Sequence, residues 1–202
     1  MNEKAKVFER TYRSYLEQVA KVDLAGRADR LGARMDGGEL IIPFYGKNYR
    51  VSAGGVLDSM GKPADFAVSV VACKYVLMCP ETATAAGDWM TYRDFKDSGP
   101  LVNYFANNTH RIIAETFSGK LDALRAVCMK IGGRPASEAA GFDLSIQFDA
   151  LPRIPLFLRF NDRDDEFPAQ CTVLFRRSAE HYLDMECLAI LGTFLTGRLL
   201  KG

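Results

Sequence analysis

The chain has 202 residues, 48% of them apolar and 25% charged, and its 26 basic and 25 acidic side chains leave a formal net charge of +1. This composition excludes a wholly disordered chain, and the near-neutral balance lacks the broad basic footprint of a general nucleic-acid binder. The length suits one compact domain over residues 1–202, with a helical arm to residue 32 and a body from 33 onward, which buries roughly 70% of its unfolded surface.

The five cysteines, Cys73, Cys79, Cys128, Cys171 and Cys187, are odd in number and contain no C-x-x-C, so they read as reduced, buried thiols and not as a disulfide framework or a zinc ribbon. The start, MNEKAKVFERTYRSYLEQ, is charged throughout and has no apolar segment of signal-peptide kind. The longest apolar stretch, residues 67–79, contains Lys74 and falls short of the roughly 20 residues a membrane helix needs. A cytoplasmic protein with no membrane and no nucleic-acid partner is expected.

Phe8, Tyr12, Tyr15, Val19 and Val22 recur at steps of four and three, which predicts an amphipathic helix from residue 3 to about 25, ended by Gly26 or Gly32. Residues 39–52, ELIIPFYGKNYRVS, read as a hairpin turning at Gly46, Lys47 and Asn48, with Pro43 confined to an edge. From Pro63 to about Cys79 the pattern is a helix apolar nearly all round, hence central, and Pro80 stops it. The segment around Trp89, Tyr92 and Phe95 reads as a loop whose aromatics pin it to the core or form a lid, with capping-box spacing from Thr91 to Asp94.

Pro100 opens a helix carrying Leu101, Phe105, Ile112, Ile113 and Phe117 inward, interrupted by Asn107, Asn108, Thr109 and His110, and His110 reads as a surface histidine. Ser118 is placed to cap a next helix that Gly132 and Gly133 end. The connection GGRPASEAAGFD lacks G-K-[ST] and a preceding strand, so it is no phosphate loop. Phe142, Leu144, Ile146 and Phe148 alternate with polar residues as a half-buried antiparallel strand; Leu156 to Phe160 and Cys171 to Phe175 supply two more. Asp184 is the N-cap of a closing helix with the stripe Leu188, Leu191, Leu195 and Leu199. The fold class is therefore α+β: an antiparallel sheet of about five strands from 39–52 and 142–176, helices packed on one face, and amphipathic helices at both ends.

Four segments, GDWMTYRDF at 87–95, LPRIPL at 151–156, DDEFPA at 164–169 and LFRRSAEHYLDMECLAILG at 174–192, resemble a bacterial and archaeal family of unknown function, domain of unknown function 3786, over residue 40 to the end. The resemblance implies no activity. It implies an association with anaerobic redox metabolism, since similar domains occur in anaerobes and in some cases adjoin iron–sulfur-type domains, and hence a redox or iron–sulfur protein as partner. The chain itself has no cluster-ligating cysteine spacing.

Asp162, Asp164, Asp165 and Glu166 put four carboxylates within five residues between two strands, a density that a hard cation would relieve. Counting from Asp162, however, the sixth position is Phe167 and the twelfth Val173, neither of which suits a calcium loop. The plainer reading is a solvated hairpin tip partnered by Arg159, Arg163, Arg176 and Arg177. His181, Tyr182, Asp184 and Glu186 follow at the third strand's end, where a histidine beside carboxylates is what acid–base work requires. Two functions result. One is a small-ligand or metal-binding accessory domain, its metal at Asp162, Asp164 and Asp165 and its ligand at Trp89, Tyr92, Arg153, Tyr182 and Glu186. The other is an acid–base or metal-assisted enzyme using His181 with Glu166, Asp164 or Asp165. A strand of five or six residues spans about 17–20 Å, so the two polar groups share a site only if the chain folds back.

Overall fold

The computed structural model describes residues 3–82, 84–136 and 141–202. The N-terminal helix divides in two. Helix α1 (Glu3–Val19) stops short, and Asp23 caps α2 (Leu24–Leu31) by accepting the Gly26 N–H at 3.0 Å. Gly32 then ends α2 in the left-handed region, φ 64°, where glycine has no Cβ penalty. Tyr12, Tyr15 and Val19 pack inward, while the side chain of Phe8 lies outside the described residues.

Residues 34–57 form a four-stranded antiparallel sheet of their own, in the order β1 (Arg34–Asp36), β2 (Glu39–Phe44), β3 (Lys47–Ser52), β4 (Gly55–Leu57). This corrects the expectation that 39–52 joins the later strands. The turn also lies one step earlier than expected, at Tyr45 and Gly46, with φ 47° and 78°, the two positive values of a type I′ hairpin. Tyrosine tolerates that conformation because it is held on every side. Its N–H donates to the Ala150 carbonyl (2.9 Å), its hydroxyl donates to the Leu191 carbonyl (2.7 Å), and Arg198 Nη1 donates to its own carbonyl (2.7 Å). Pro43 lies beyond Ile41, the residue opposite β1's first residue Arg34, where β1 does not cover β2.

Helix α3 (Phe66–Leu77) starts at the N-cap Asp65, whose side chain accepts the Val68 N–H at 2.9 Å, while Pro63 bridges back to Leu57. Val68, Val71, Cys73, Tyr75 and Val76 are buried, as an all-round apolar helix should be.

The second sheet has the order β5-β9-β8-β7-β6, all antiparallel, from β5 (Trp89–Thr91), β6 (Arg134–Pro135), β7 (Leu144–Leu151), β8 (Ile154–Asn161) and β9 (Gln170–Arg176). Leu144, Ile146 and Phe148, Leu156, Leu158 and Phe160, and Val173 and Phe175 all face the helical side and are buried. Over them lie α4 (Val102–Phe105) and α5 (Ile112–Phe117), which a π-helical stretch at Ala106–Arg111 joins into one continuous helix, then α6 (Leu121–Lys130) and α7 (Met185–Lys201). Lys120 and not Ser118 precedes α6, and no side chain caps it. Gly133 closes it, its N–H donating to the Cys128 carbonyl at 2.8 Å. Residues 137–140 of the following connection lie outside the described residues, and so does part of the phosphate-loop question. Asp184 caps α7 through the Cys187 N–H at 2.9 Å, and Leu188, Leu191, Leu195 and Leu199 form its buried stripe. The cysteines are free thiols, four buried and Cys79 half-buried.

Candidate ligand cavity at His110

The acidic turn leaves β8 and returns as β9, whereas His181 ends the 3-10 turn Arg177–His181 beyond the far end of β9. Seven extended residues span about 20 Å, and proton transfer needs hydrogen-bond reach of about 3 Å. The structure does not bring His181 to Glu166, and His181 itself is exposed. Within the turn, carboxylates serve the backbone. Asp164 Oδ1 accepts the N–H groups of Glu166 (2.8 Å) and Phe167 (2.7 Å), which hold its carboxyl below the usual range. Asp162 Oδ1 accepts Gly119 N–H (2.6 Å) and Arg163 N–H (2.8 Å), tying the turn to the α5–α6 corner. Asp165 is exposed, and among the described residues no group of three or more His, Cys, Asp or Glu side chains is arranged to hold a metal ion.

The residues expected to hold a ligand also part company. Trp89 belongs to an edge strand and not a loop. It packs on Phe157 at 5.1 Å between ring centroids, with the Arg176 guanidinium 3.9 Å above it. Arg153 caps the C-terminus of α2, donating to the carbonyls of Arg30 (3.0 Å) and Asp29 (2.7 Å). Tyr182 is buried against Tyr75. Glu186 lies on a separate cavity of about 540 Å³ at the start of α7, beside Asp184, Glu180 and Asp97. Asp184 there is paired with Lys74 at 2.9 Å.

Only Tyr92 lines the cavity whose chemistry is most complete. This cavity, about 380 Å³, lies between the 3-10 turn Tyr92–Asp94, the helix α4–α5 and Thr172 of β9. Small-ligand sites begin at about 300 Å³. Its apolar wall is Phe105, Val102 and Ala106, with Tyr92 stacked on Phe105 at 4.4 Å and 10°. The Tyr92 hydroxyl is anchored to the Met185 carbonyl (2.7 Å), so the ring is held in place. At the mouth, Asp94 Oδ2 accepts both the N–H (3.0 Å) and the hydroxyl (2.8 Å) of Thr91, and this holds the turn.

His110 stands in the cavity because the helix widens there. A π turn carries an extra residue and shifts the side chains that follow. Asn108 Nδ2 donates back to the Tyr104 carbonyl at 2.8 Å, and Phe105 meets the His110 ring edge-on at 5.0 Å. His110 Nε2 accepts the N–H of Val173 at 3.1 Å. β5 pairs only with Leu174 to Arg176, so Val173 has no strand partner on that side and the imidazole takes its place. Burial lowers the His110 pKa. The ring is therefore neutral, with its proton on Nδ1. That Nδ1–H, the Thr172 hydroxyl and the Arg93 guanidinium have no partner among the described residues. A second cavity of about 470 Å³ shares Ala106, His110 and Thr172 and continues along β9 toward Pro168.

Sequence reasoning placed His110 on the surface from its polar neighbours. The available signal was the break in helical periodicity from Asn107 to His110, which is the π stretch itself.

A family model described as domain of unknown function (DUF3786) matches residues 23–198. The chain belongs to the DUF3786 family. The match begins earlier than the sequence motifs suggested and takes in α2 and the first sheet as well as both cavities beside His110. No curated protein and no solved structure matches this DUF3786 chain. Among the described residues, no helix is long and apolar enough to cross a membrane.

Proposed function

We propose that the protein is a small-molecule-binding accessory domain whose site is the His110 cavity. The observation that carries this reading is the half-buried neutral imidazole. Its Nε2 is committed to Val173 while its Nδ1–H stands unpaired beside an apolar wall. That donor faces the cavity, where a ligand acceptor can replace water on it. On this reading, the link with anaerobic redox metabolism that the sequence resemblance implies runs through the ligand, or through a redox partner that delivers or receives it.

The test is a thermal-shift screen of metabolite classes on the intact chain and on Ala106→Leu, which narrows the cavity while keeping the His110 side chain. A ligand at a hundredfold excess over its dissociation constant stabilises by about 2.7 kcal/mol, a rise of roughly 5–10 °C for a chain of this size. Hits that survive in Ala106→Leu would move the site elsewhere.

A further inference from the structure

Resting on the cavity reading, we infer that the ligand is a small carboxylic acid bound as its anion. Its carboxylate meets His110 Nδ1–H, the Thr172 hydroxyl and the Arg93 guanidinium, and its apolar body lies against Phe105 and Val102. The argument is one of complementarity. Each of the three unpartnered polar groups on this cavity can donate, and an ionised carboxylate is acceptor-only, with two oxygens and about four lone-pair sites. An amide or an alcohol brings donors of its own, which would meet the N–H and guanidinium groups head on.

The remaining charged group on the cavity, Asp94, does not reverse this. Its Oδ2 is occupied by two donors from Thr91, and its charge sits next to that of Arg93. Arg111 lines the neighbouring cavity and not this one, and it pairs with Glu115 at 2.7 Å. One guanidinium and two neutral donors match a monoanion. A phosphate dianion calls for further cations, and Arg93 is the one lysine or arginine among the residues lining the cavity. The wall opposite the donors is aromatic and aliphatic, and a flat or branched hydrocarbon body fits it better than a polyhydroxylated one.

Because His110 holds Val173 through Nε2, its Nδ1–H has a set direction before any ligand arrives. The head group therefore docks on a preorganised donor, and little side-chain entropy is lost there.

The experiment compares matched acids and their primary amides, namely benzoate with benzamide, phenylacetate with phenylacetamide and hexanoate with hexanamide, by calorimetry on the full chain at neutral pH. Carboxylates should bind, and each amide should bind at least tenfold more weakly. Arg93→Gln, an exposed position whose replacement leaves the core intact, should remove tenfold or more of the carboxylate affinity, the scale of one charge-assisted hydrogen bond. Glu186→Gln, on the other cavity, should leave it unchanged. The His110 imidazole resonances should shift to a higher apparent pKa with the acids and not with the amides. Equal binding of acids and amides, or acid binding indifferent to Arg93→Gln, overturns the carboxylate assignment while the cavity reading stands. If no neutral, cationic or anionic compound from the metabolite screen binds, the cavity reading falls, and this inference falls with it.

Discussion

The backbone N–H of Val173 donates to Nε2 of His110 at 3.1 Å, so one side chain from a widened helical turn supplies an acceptor to a strand edge that β5 leaves uncovered. That bond ties the protonation state of one residue to the integrity of the sheet.

The pH dependence follows from it. The folded pKa of His110 lies below its ordinary value because burial disfavours the imidazolium. A group depressed in this way is charged first in the unfolded chain, so the stabilisation is complete above about pH 6.5 and is lost as pH falls from there toward the folded pKa. Melting temperature should decline from pH 7 to pH 5. His110→Gln, which keeps an acceptor for Val173, should flatten that decline, whereas His181→Gln, at an exposed position, should retain it.

Gly192 lets α7 approach the widened turn. A methyl group there would lie 2.3 Å from Phe105 Cε2 and 3.0 Å from Thr109 Oγ1. Gly192→Ala should cost about 1–3 kcal/mol through overpacking, read by denaturant unfolding. It should also weaken any cavity ligand, because Phe105 is the ring that must move.

Arg176 covers the single tryptophan. Arg176→Ala removes the guanidinium 3.9 Å from the Trp89 ring centroid and its bond to the Gly87 carbonyl. The expected results are a red-shifted Trp89 emission and a loss of about 0.5–1 kcal/mol in chemical unfolding.

Asp162 fastens the acidic turn to the α5–α6 corner through the Gly119 N–H at 2.6 Å. Asp162→Ala should cost about 1 kcal/mol. It should also raise amide hydrogen exchange at Gly119 and Arg163 while leaving exchange in α7 unchanged.

The thiols differ in reach. Burial pushes Cys73 and Cys128 up to about 12 and raises Cys171 and Cys187 as well, and the thiolate is the reactive form. With a disulfide reagent at pH 8, the folded protein should label first at half-buried Cys79. The other four should react only on unfolding, as peptide mapping would show.

Sequence periodicity located β7, β8, β9, α3 and α7 within a few residues, because each buries one complete face and the burial repeats with the element. It could not show that Glu39–Ser52 forms a separate sheet. Alternation says which face of a strand is buried and nothing about which neighbour buries it. The placement depends on Tyr45 hooking onto Ala150, where β7 slips register between Asp149 and Leu151 and frees a carbonyl. Trp89 was read as part of a loop because three paired residues are too few for a strand signal.

The site was legible only in fragments. Tyr92, singled out as an aromatic in a connecting segment, lines the cavity. Arg153 and Tyr182, chosen with it, are occupied by a helix terminus and by the core. The acidic turn attracted attention through charge density, yet the Asp162 and Asp164 oxygens accept backbone N–H groups that only the folded turn and the distant Gly119 bring to them. His110 escaped because a histidine among asparagines and a threonine looks solvated, and the break in periodicity there reads as an interruption of the helix before it reads as a π turn.

The same imidazole bears on how the chain avoids its own kind. Past Leu174 the outer side of β9 has no strand beside it, and an unpaired edge of that sort is a template on which another molecule can lay a strand and begin an aggregate. Here the widened helix stands along that side with His110 hydrogen-bonded into it. A substitution that opened the cavity by removing the ring would therefore expose a seed for fibre growth in the same step.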